Sequence, residues 1–323
     1  MLSRIAEALY WMGRYLERAD DTARLLDVYV HRMVVQANDE LLGVSLLESM
    51  GIDLSELDGL ADAGAIDLWK ATELLAYDAD NPSSVVGSLR LARENARGLR
   101  EILATEVWEA LNRTHHELDQ HVRAARTLGP HLLFQWVRDR VALVGGLIDT
   151  VLLHDDGWRF LTIGRCLERV DMTARLLGAV PADADASRWS GVLVSCGAND
   201  AFLRTYGGDI DRAKALSVLL LDPDFPRSVS YALAQAEQAL DDVDGGQRPN
   251  SGRRRPLVRA SAAAREVGRI RSELAYTDPV ELAADLPHVV ARLQAATAHA
   301  SELVTQRYFQ RVAFIEWTPE KAG

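Results

Sequence analysis

The sequence predicts an all-α fold, a bundle of long helices built from two diverged tandem copies of one helical unit packed together. Three observations lead there. Apolar residues recur at steps of three and four over long stretches, which is the spacing of one buried helix face. Short β-branched runs of period two are missing. Finally, residues 13–26, GRYLERADDTARLL, return as residues 164–177, GRCLERVDMTARLL, with eleven of fourteen positions identical.

The first thirty-odd residues set the pattern. Ile5, Leu9, Met12, Leu16, Ala19, Ala23, Leu26, Val30 and Met33 form one apolar stripe with no proline in it, which predicts a single long helix. Comparable stripes predict helices over Ser84–Asn112, His131–Leu153, Phe160–Val180, Ser228–Val243, Ala260–Tyr276 and Pro279–Phe314. Asn81-Pro82-Ser83-Ser84, Gly129-Pro130 and the Asp222–Pro226 run combine turn formers with a proline allowed in a first helical turn. The segment 244–256 has no apolar content and reads as a surface loop, and its Arg253 to Arg255 read as solvated.

Two weaker echoes extend the repeat in the same order. Glu48-Ser49-Met50-Gly51 matches Val194-Ser195-Cys196-Gly197, and Pro82-Ser83-Ser84-Val85 matches Pro226-Arg227-Ser228-Val229. The three offsets are 151, 146 and 144, the signature of a whole duplicated unit trimmed in its loops. The units expected are residues 1–154 and 155–323, with the boundary near His154-Asp155-Asp156-Gly157.

Composition narrows the function. Of 323 residues, 48% are hydrophobic and 26% charged, enough for a substantial packed core. A net charge of -11 disfavours nucleic acid, whose phosphates ask for a basic surface. Cys166 and Cys196 are too few for a disulfide framework and read as small core residues. The N-terminus lacks a signal-peptide pattern, and Val141–Leu153 is too short and too interrupted by Asp149 to span a bilayer. A cytoplasmic protein with no membrane association is the expectation.

The repeated helix keeps a polar face as well as an apolar one. Glu17, Asp20 and Arg24 fall at i, i+3, i+7, and Arg14, Arg18 and Thr22 at i, i+4, i+8. The second copy repeats them as Glu168, Asp171 and Arg175, with Arg165, Arg169 and Thr173. Exposed pairs are worth only about 0.2–0.5 kcal/mol, so solvated charges drift after duplication; retention of six implies that this face is not simply wet. Asp20 with Arg24 and Arg14 with Glu17 are workable pairs along the helix. Arg14 and Arg18 repel each other and call for an anion from another helix or from a ligand. Two readings stay open: a buried ion-pair network clamping each repeated helix to its neighbours, or a groove binding an anion or a peptide carboxylate.

A second basic element lies in the first half. Arg90, Arg93, Arg97 and Arg100 share one face of the Ser84–Asn112 helix, with Glu94 and Glu101 beside them. The matching stretch from Ala234 to Asp244 carries Glu237 and Asp241 and no arginine. A groove for an acidic ligand is therefore expected in the first half, against the plainer reading of a charged, solvated helix face.

Other chemistry finds no footing. There is no glycine-rich phosphate loop and no Glu-x-x-His pair for a helical di-metal site. His115, His116, Glu117, Asp119 and His121 would spread around a helix rather than converge on a metal. No Ser-His-Asp or Cys-His arrangement follows from spacing. Trp108, Trp136, Trp158 and Trp189 read as packing anchors. No cofactor and no metal are expected.

The segment from Leu9 to Asp27, LYWMGRYLERADDTARLLD, resembles the opening of the bacterial alpha-E family, helical domains with a Glu-Arg motif. Arg93-Glu94-Asn95-Ala96-Arg97, Arg100-Glu101-Ile102-Leu103, Glu106–Asn112 and Tyr308-Phe309 are also similar to it, so the resemblance covers essentially the whole chain. Glu17 and Arg18 match the family's pair directly, and Glu168 and Arg169 match it through the repeat. The resemblance implies the company of circularly permuted ATP-grasp ligase-like proteins and transglutaminase-like peptidases, and hence a pathway that makes or modifies peptides. The leading expectation is a non-catalytic helical partner that binds an ATP-grasp-type ligase or its peptide substrate. The alternatives are an enzyme of the same pathway, with Glu17 as acid/base and Arg14, Arg18 or Arg97 holding an anion, and a purely structural homo-oligomer.

Overall fold

The computed structural model describes residues 3–35, 42–50, 52, 68–245 and 260–309, and no strand occurs among them. The first helix, α1 (Ser3–Val35), is unbroken, and Leu9, Met12, Leu16, Ala19, Ala23 and Leu26 of its stripe are buried. Three helices follow: α2 (Leu42–Ser49), the short α3 (Leu68–Thr72), which runs into a π-helical turn over Glu73–Tyr77, and α4 (Val85–Arg97). The first half closes with α5 (Thr105–Leu128) and α6 (His131–Val151).

The second half opens with α7 (Asp156–Gly178) and continues through α8 (Ala186–Ser195), α9 (Asn199–Tyr206) and α10 (Arg212–Leu216), which leads into a second π-helical turn at Ser217–Leu221. Next come α11 (Val229–Asp244), α12 (Ala262–Ala275), α13 (Pro279–Ala284) and α14 (Leu286–Val304), with a last π-helical turn over Thr305–Phe309. The 244–256 segment with Arg253 to Arg255 falls almost wholly outside the described residues.

Two predicted helices are each two helices. Ser84–Asn112 breaks between Arg97 and Thr105. Gly98 ends α4, tight bonds such as Leu99 N–H to Ala96 O turn the chain, and Ala104 is extended. The apolar spacing ran through the gap because Leu99 and Leu103 are buried from the turn, just as they would be from a helix. Arg100 therefore lies in that turn and not on α4. Pro279–Phe314 breaks at Asp285, because Pro287 sits in the first turn of α14. Its ring cannot follow a continuous helix and it has no N–H to give back.

Serine caps start both α4 and α11. Ser84 Oγ accepts from Gly87 N–H at 2.8 Å, and Ser228 Oγ accepts from Tyr231 N–H at 3.0 Å. Each hydroxyl also donates to the carbonyl six residues earlier, at Asp78 and Asp222. Such caps satisfy helix-end donors and are worth about 1 kcal/mol each.

Packing follows one plan in both halves. In the first, α1 packs on α4 and α6, and α5 on α4 and α6; in the second, α7 packs on α11 and α14, and α12 on α11 and α14. The two groups meet along α1 and α7. These helices run parallel: Tyr10 lies beside Gly164, Glu17 beside Arg169, Asp21 beside Met172 and Val28 beside Val180. At 1.5 Å per residue the seam is about 27 Å long. Its tightest point is a pair of glycines. A Cβ on Gly13 would overlap the Leu161 carbonyl oxygen, and one on Gly164 would overlap that of Tyr10. Only glycine allows backbones this close.

Candidate functional site

The polar face of the repeated helix lies on this seam, where α1 and α7 supply each other's counter-ions. On one side Glu168 of α7 receives two arginines of α1. Arg18 makes a fork, with Nε to Oε1 at 2.5 Å and Nη2 to Oε2 at 3.1 Å, and Arg14 Nε reaches Oε2 at 2.6 Å. On the other side Glu17 of α1 receives a fork from Arg169 of α7, at 2.6 and 2.8 Å. The remaining guanidinium nitrogen also finds matching partners. Arg18 Nη1 donates to the Pro82 carbonyl at 3.4 Å, and Arg169 Nη1 to that of Pro226 at 2.8 Å. Each pair thus ties the seam to the turn that opens α4 or α11.

The two glutamates are sealed: side-chain exposure is 5% for Glu17 and 1% for Glu168. Burial works to raise their pKa values, but the facing arginines outweigh it. Arg169 and Arg227 bring Glu17 down to about 2, and Arg14 and Arg18 hold Glu168 below the usual carboxylate range. Burial likewise works against the charge on Arg14, and Glu168 overrides it and raises its pKa. Arg14 also donates to Tyr10 Oη at 3.0 Å and Ser301 Oγ at 3.1 Å, while its counterpart Arg165 reaches Asp149 on α6 at 3.5 Å.

Of the pairs expected along the helix, Asp20 accepts from Arg24 Nε at 2.9 Å, and Asp171 from Arg175 Nε at 2.8 Å. Arg14 does not pair with Glu17. It turns to Glu168, while Glu17 is held by Arg169 and Arg227 instead. The anion that Arg14 and Arg18 require comes from the other copy of the motif.

The two sides differ in their second arginine: Arg14 completes the Glu168 side, whereas on the Glu17 side Arg165 turns away to Asp149 and Arg227 takes its place. Arg227, just before the cap of α11, reaches into the Glu17 side. It bonds Asp20 Oδ2 at 2.9 Å, pairs with Asp21, donates Nε to the Cys196 carbonyl at 3.0 Å and lies 3.7 Å from Glu17. Across the repeat, Asp21 is answered by Met172 and Arg227 by Ser83. Three carboxylates crowd this corner. Burial, with Glu17 and Asp20 nearby, pushes Asp21 up to about 7 against the pull of Arg227. One oxygen each of Asp20 and Asp21 is buried without a hydrogen-bond partner, and a small cleft of about 20 Å³ adjoins Asp21, Thr173, Cys196 and Arg227.

The arginines of the α4 region make different contacts. Arg90 pairs with Asp119 at 3.1 Å, Arg93 bonds Glu94 and Asn112, and Arg97 meets Glu94 at 3.5 Å. Arg93 and Arg100 both lie over the Trp108 ring, at 5.5 and 5.8 Å. These contacts are within α4 or with α5, and none of them reaches the seam. At the Arg93 position of the second half, Glu237 pairs instead with Arg271 of α12 at 2.5 Å.

The tryptophans divide. Trp189 is fully buried, whereas Trp136 stacks on His121 at 4.2 Å and Trp158 on His154 at 4.1 Å. Both cysteines are buried and free. Among the described residues no helix is long and apolar enough to cross a membrane, and no three His, Cys, Asp or Glu side chains are disposed around a metal position.

Spacing gave no sign of one further cluster. A groove of about 310 Å³ is lined by Asp27, Val28 and His31 of α1, His131 at the start of α6, and Ser187, Ser190, Gly191 and Val194 of α8. Its residues come from three helices far apart in the chain, so no local motif could announce it.

Residues 1–309 match a family described as a predicted alpha-helical domain with a conserved ER motif, Alpha-E. Uncharacterised proteins of Mycobacterium bovis and Mycobacterium tuberculosis are 26% identical over 337 aligned positions, covering 94% of this chain and 36% of the relatives. The chain thus spans about a third of the length of the curated relatives it matches. No solved structure matches it.

Proposed function

The chain belongs to the Alpha-E family, and from that premise we propose that it is a non-catalytic helical partner of an ATP-grasp-type ligase in a pathway that makes or modifies peptides. The observation that carries the non-catalytic part is the sealed seam. The Glu-Arg pairs are saturated by one another, and Glu17, held near 2, is a poor proton donor or acceptor at neutral pH. The motif then serves to lock two halves together. The length of the relatives supports the partner: there the matched unit is 36% of the chain, as expected for a module that works beside another domain. The ligase itself, and the transglutaminase-like peptidase of the same pathway, rest on the family resemblance.

The same reading includes the architecture. The two halves, residues 1–154 and 155–323, are diverged copies of one unit packed as one domain. Three matched features support duplication: the reciprocal Glu-Arg forks, the bonds from Arg18 and Arg169 to Pro82 and Pro226, and the serine caps 144 residues apart.

Co-purification of the tagged chain with an ATP-grasp protein encoded beside it tests the proposal. A complex that survives gel filtration at micromolar concentration is the expected result. Clean separation, or turnover by this chain alone that Glu17→Gln abolishes without loss of folding, would overturn it.

A further inference from the structure

We propose that the Asp21–Arg227 ion pair selects the partner at the seam, favouring each half's own twin over the same half of a second copy of this chain. The inference rests on the two-unit reading and not on the ligase partnership. It starts from the self-complementarity of the seam.

The offset of 151 residues equates Tyr10 with Leu161, Gly13 with Gly164, Glu17 with Glu168, Arg18 with Arg169 and Asp21 with Met172. The contacts obey the same exchange. Gly13 meets the Leu161 carbonyl and Gly164 that of Tyr10. Glu17 takes the fork of Arg169, and Glu168 takes that of Arg18. Asp21 and Met172 border the same small cleft. A pattern in which i meets j and j meets i is that of a two-fold homodimer interface. Two α1 helices from separate chains can therefore repeat the glycine contact and both glutamate forks, with Gly13 on Tyr10 and Glu17 on Arg18. The shared motif does nothing to prevent that pairing.

Asp21 and Arg227 do prevent it. Their side chains are only 13% and 18% exposed, and Arg227 is held in place by Asp20 and the Cys196 carbonyl. The pair exists on one side of the seam only, because Met172 and Ser83 hold the equivalent positions on the other. Two first halves laid together would bring Asp21 against Asp21, with Ser83 where Arg227 belongs. Arg24 is taken by Asp20. Arg14 lies seven residues earlier, about 10 Å along α1, and serves the glutamate. Two second halves would bury both Arg227 side chains against Met172. Either arrangement strands buried charges on both sides, which is among the costliest defects an interface can carry and a strong means of rejecting a wrong partner. Only a first half against a second joins Asp21 to Arg227.

Refolding of the full chain from urea tests this, with size measured by gel filtration and light scattering before unfolding and after. The native chain should return to its starting size across the micromolar range of protein concentration. Asp21→Met combined with Arg227→Ser copies the neutral pair of the other side. It should melt near the native midpoint yet give larger species on refolding, in a fraction that rises with concentration. That fraction should exceed the native one about tenfold, the ratio equivalent to about 1.4 kcal/mol and well within the cost of stranding a buried charge. Asp21→Asn combined with Arg227→Gln, which keeps the shapes and removes the charges, should behave alike. Arg227→Lys keeps the charge and should refold as the native chain does. Equal fractions of larger species in all four proteins would overturn the proposal, and so would enlargement of Arg227→Lys to the level of the neutral pairs. The midpoint of the first double variant reports separately on the equivalence of the two sides, so partner choice can fail while the two-unit reading stands.

Discussion

Glu168→Gln isolates the seam's contribution, because it keeps the shape of the side chain and removes only its charge. In the native protein one carboxylate, 1% exposed, neutralises both Arg14 and Arg18. The glutamine carbonyl can still accept one hydrogen bond, but its amide would point N–H groups at a guanidinium. Breaking a buried pair by removing one partner costs about 3–5 kcal/mol. Arg18 can recover part of this by moving toward solvent beside Pro82. Arg14 cannot, being enclosed by Tyr10 and Ser301, so the lower half of that range, about 3 kcal/mol, is expected. For a chain of 323 residues, an unfolding entropy of about 2.1 cal/mol/K per residue makes 1 kcal/mol worth roughly 1.5 °C, which gives a fall of about 4–5 °C in a thermal melt followed by circular dichroism. Glu94→Gln, which removes an exposed partner of Arg93 and Arg97, should change the midpoint by less than about 2 °C, as surface pairs do. Equal small shifts in both proteins would refute the claim that the motif holds the halves together.

Gly13→Ala and Gly164→Ala should each cost about 1–3 kcal/mol or more, since the added methyl meets a backbone carbonyl that no rotamer can relieve. Gly98→Ala, with open space around it and a helical φ, should be neutral or slightly stabilising; urea midpoints would order the three. Arg227→Ser should destabilise by about 3 kcal/mol, the lower end for leaving buried carboxylates unpaired. Adding Asp21→Met should restore most of the loss, because the equivalent positions on the other side hold the uncharged Met172 and Ser83; additive losses would refute the equivalence. Acid and base limbs should have different owners. The lowered Glu17 contributes stability above the unfolded carboxylate pKa, lost as pH falls toward about 2. The raised Asp21 contributes below its unfolded pKa, and that part is lost as pH rises through about 7. Melts across pH should therefore lose their neutral inflection in Asp21→Asn and keep the acid one.

How much of this could be read from the sequence depended on whether the cause was local. The long unbroken α1 and the serine caps follow from spacing and from single residue types. The demand of Arg14 and Arg18 for an outside anion was legible from their i, i+4 repulsion. That the answering carboxylate sits 150 residues away, in the repeated motif itself, was not, because no spacing rule measures distance across a fold. The break at Gly98 escaped for another reason: Leu99 and Leu103 bury themselves from a turn in the rhythm of a helix. Arg227 lies outside the strong repeat, and only the fold brings it to Asp21. Asp27, His131 and Ser190 belong to three separate helices, so their meeting had no signature in the chain.

The order of synthesis gives the seam a further meaning. At about 5–20 residues per second, α7 leaves the ribosome on the order of ten seconds after α1. Throughout that interval Arg14, Arg18 and Glu17 have no partner from α7, and the flat glycine face at Gly13 has nothing to lie against. The first four-helix group therefore emerges as a half-molecule with the polar face of α1 still hydrated, and the latch closes only when its twin arrives. A nascent chain stalled before α7 should be cut by protease within α1, and one stalled beyond it should be resistant there.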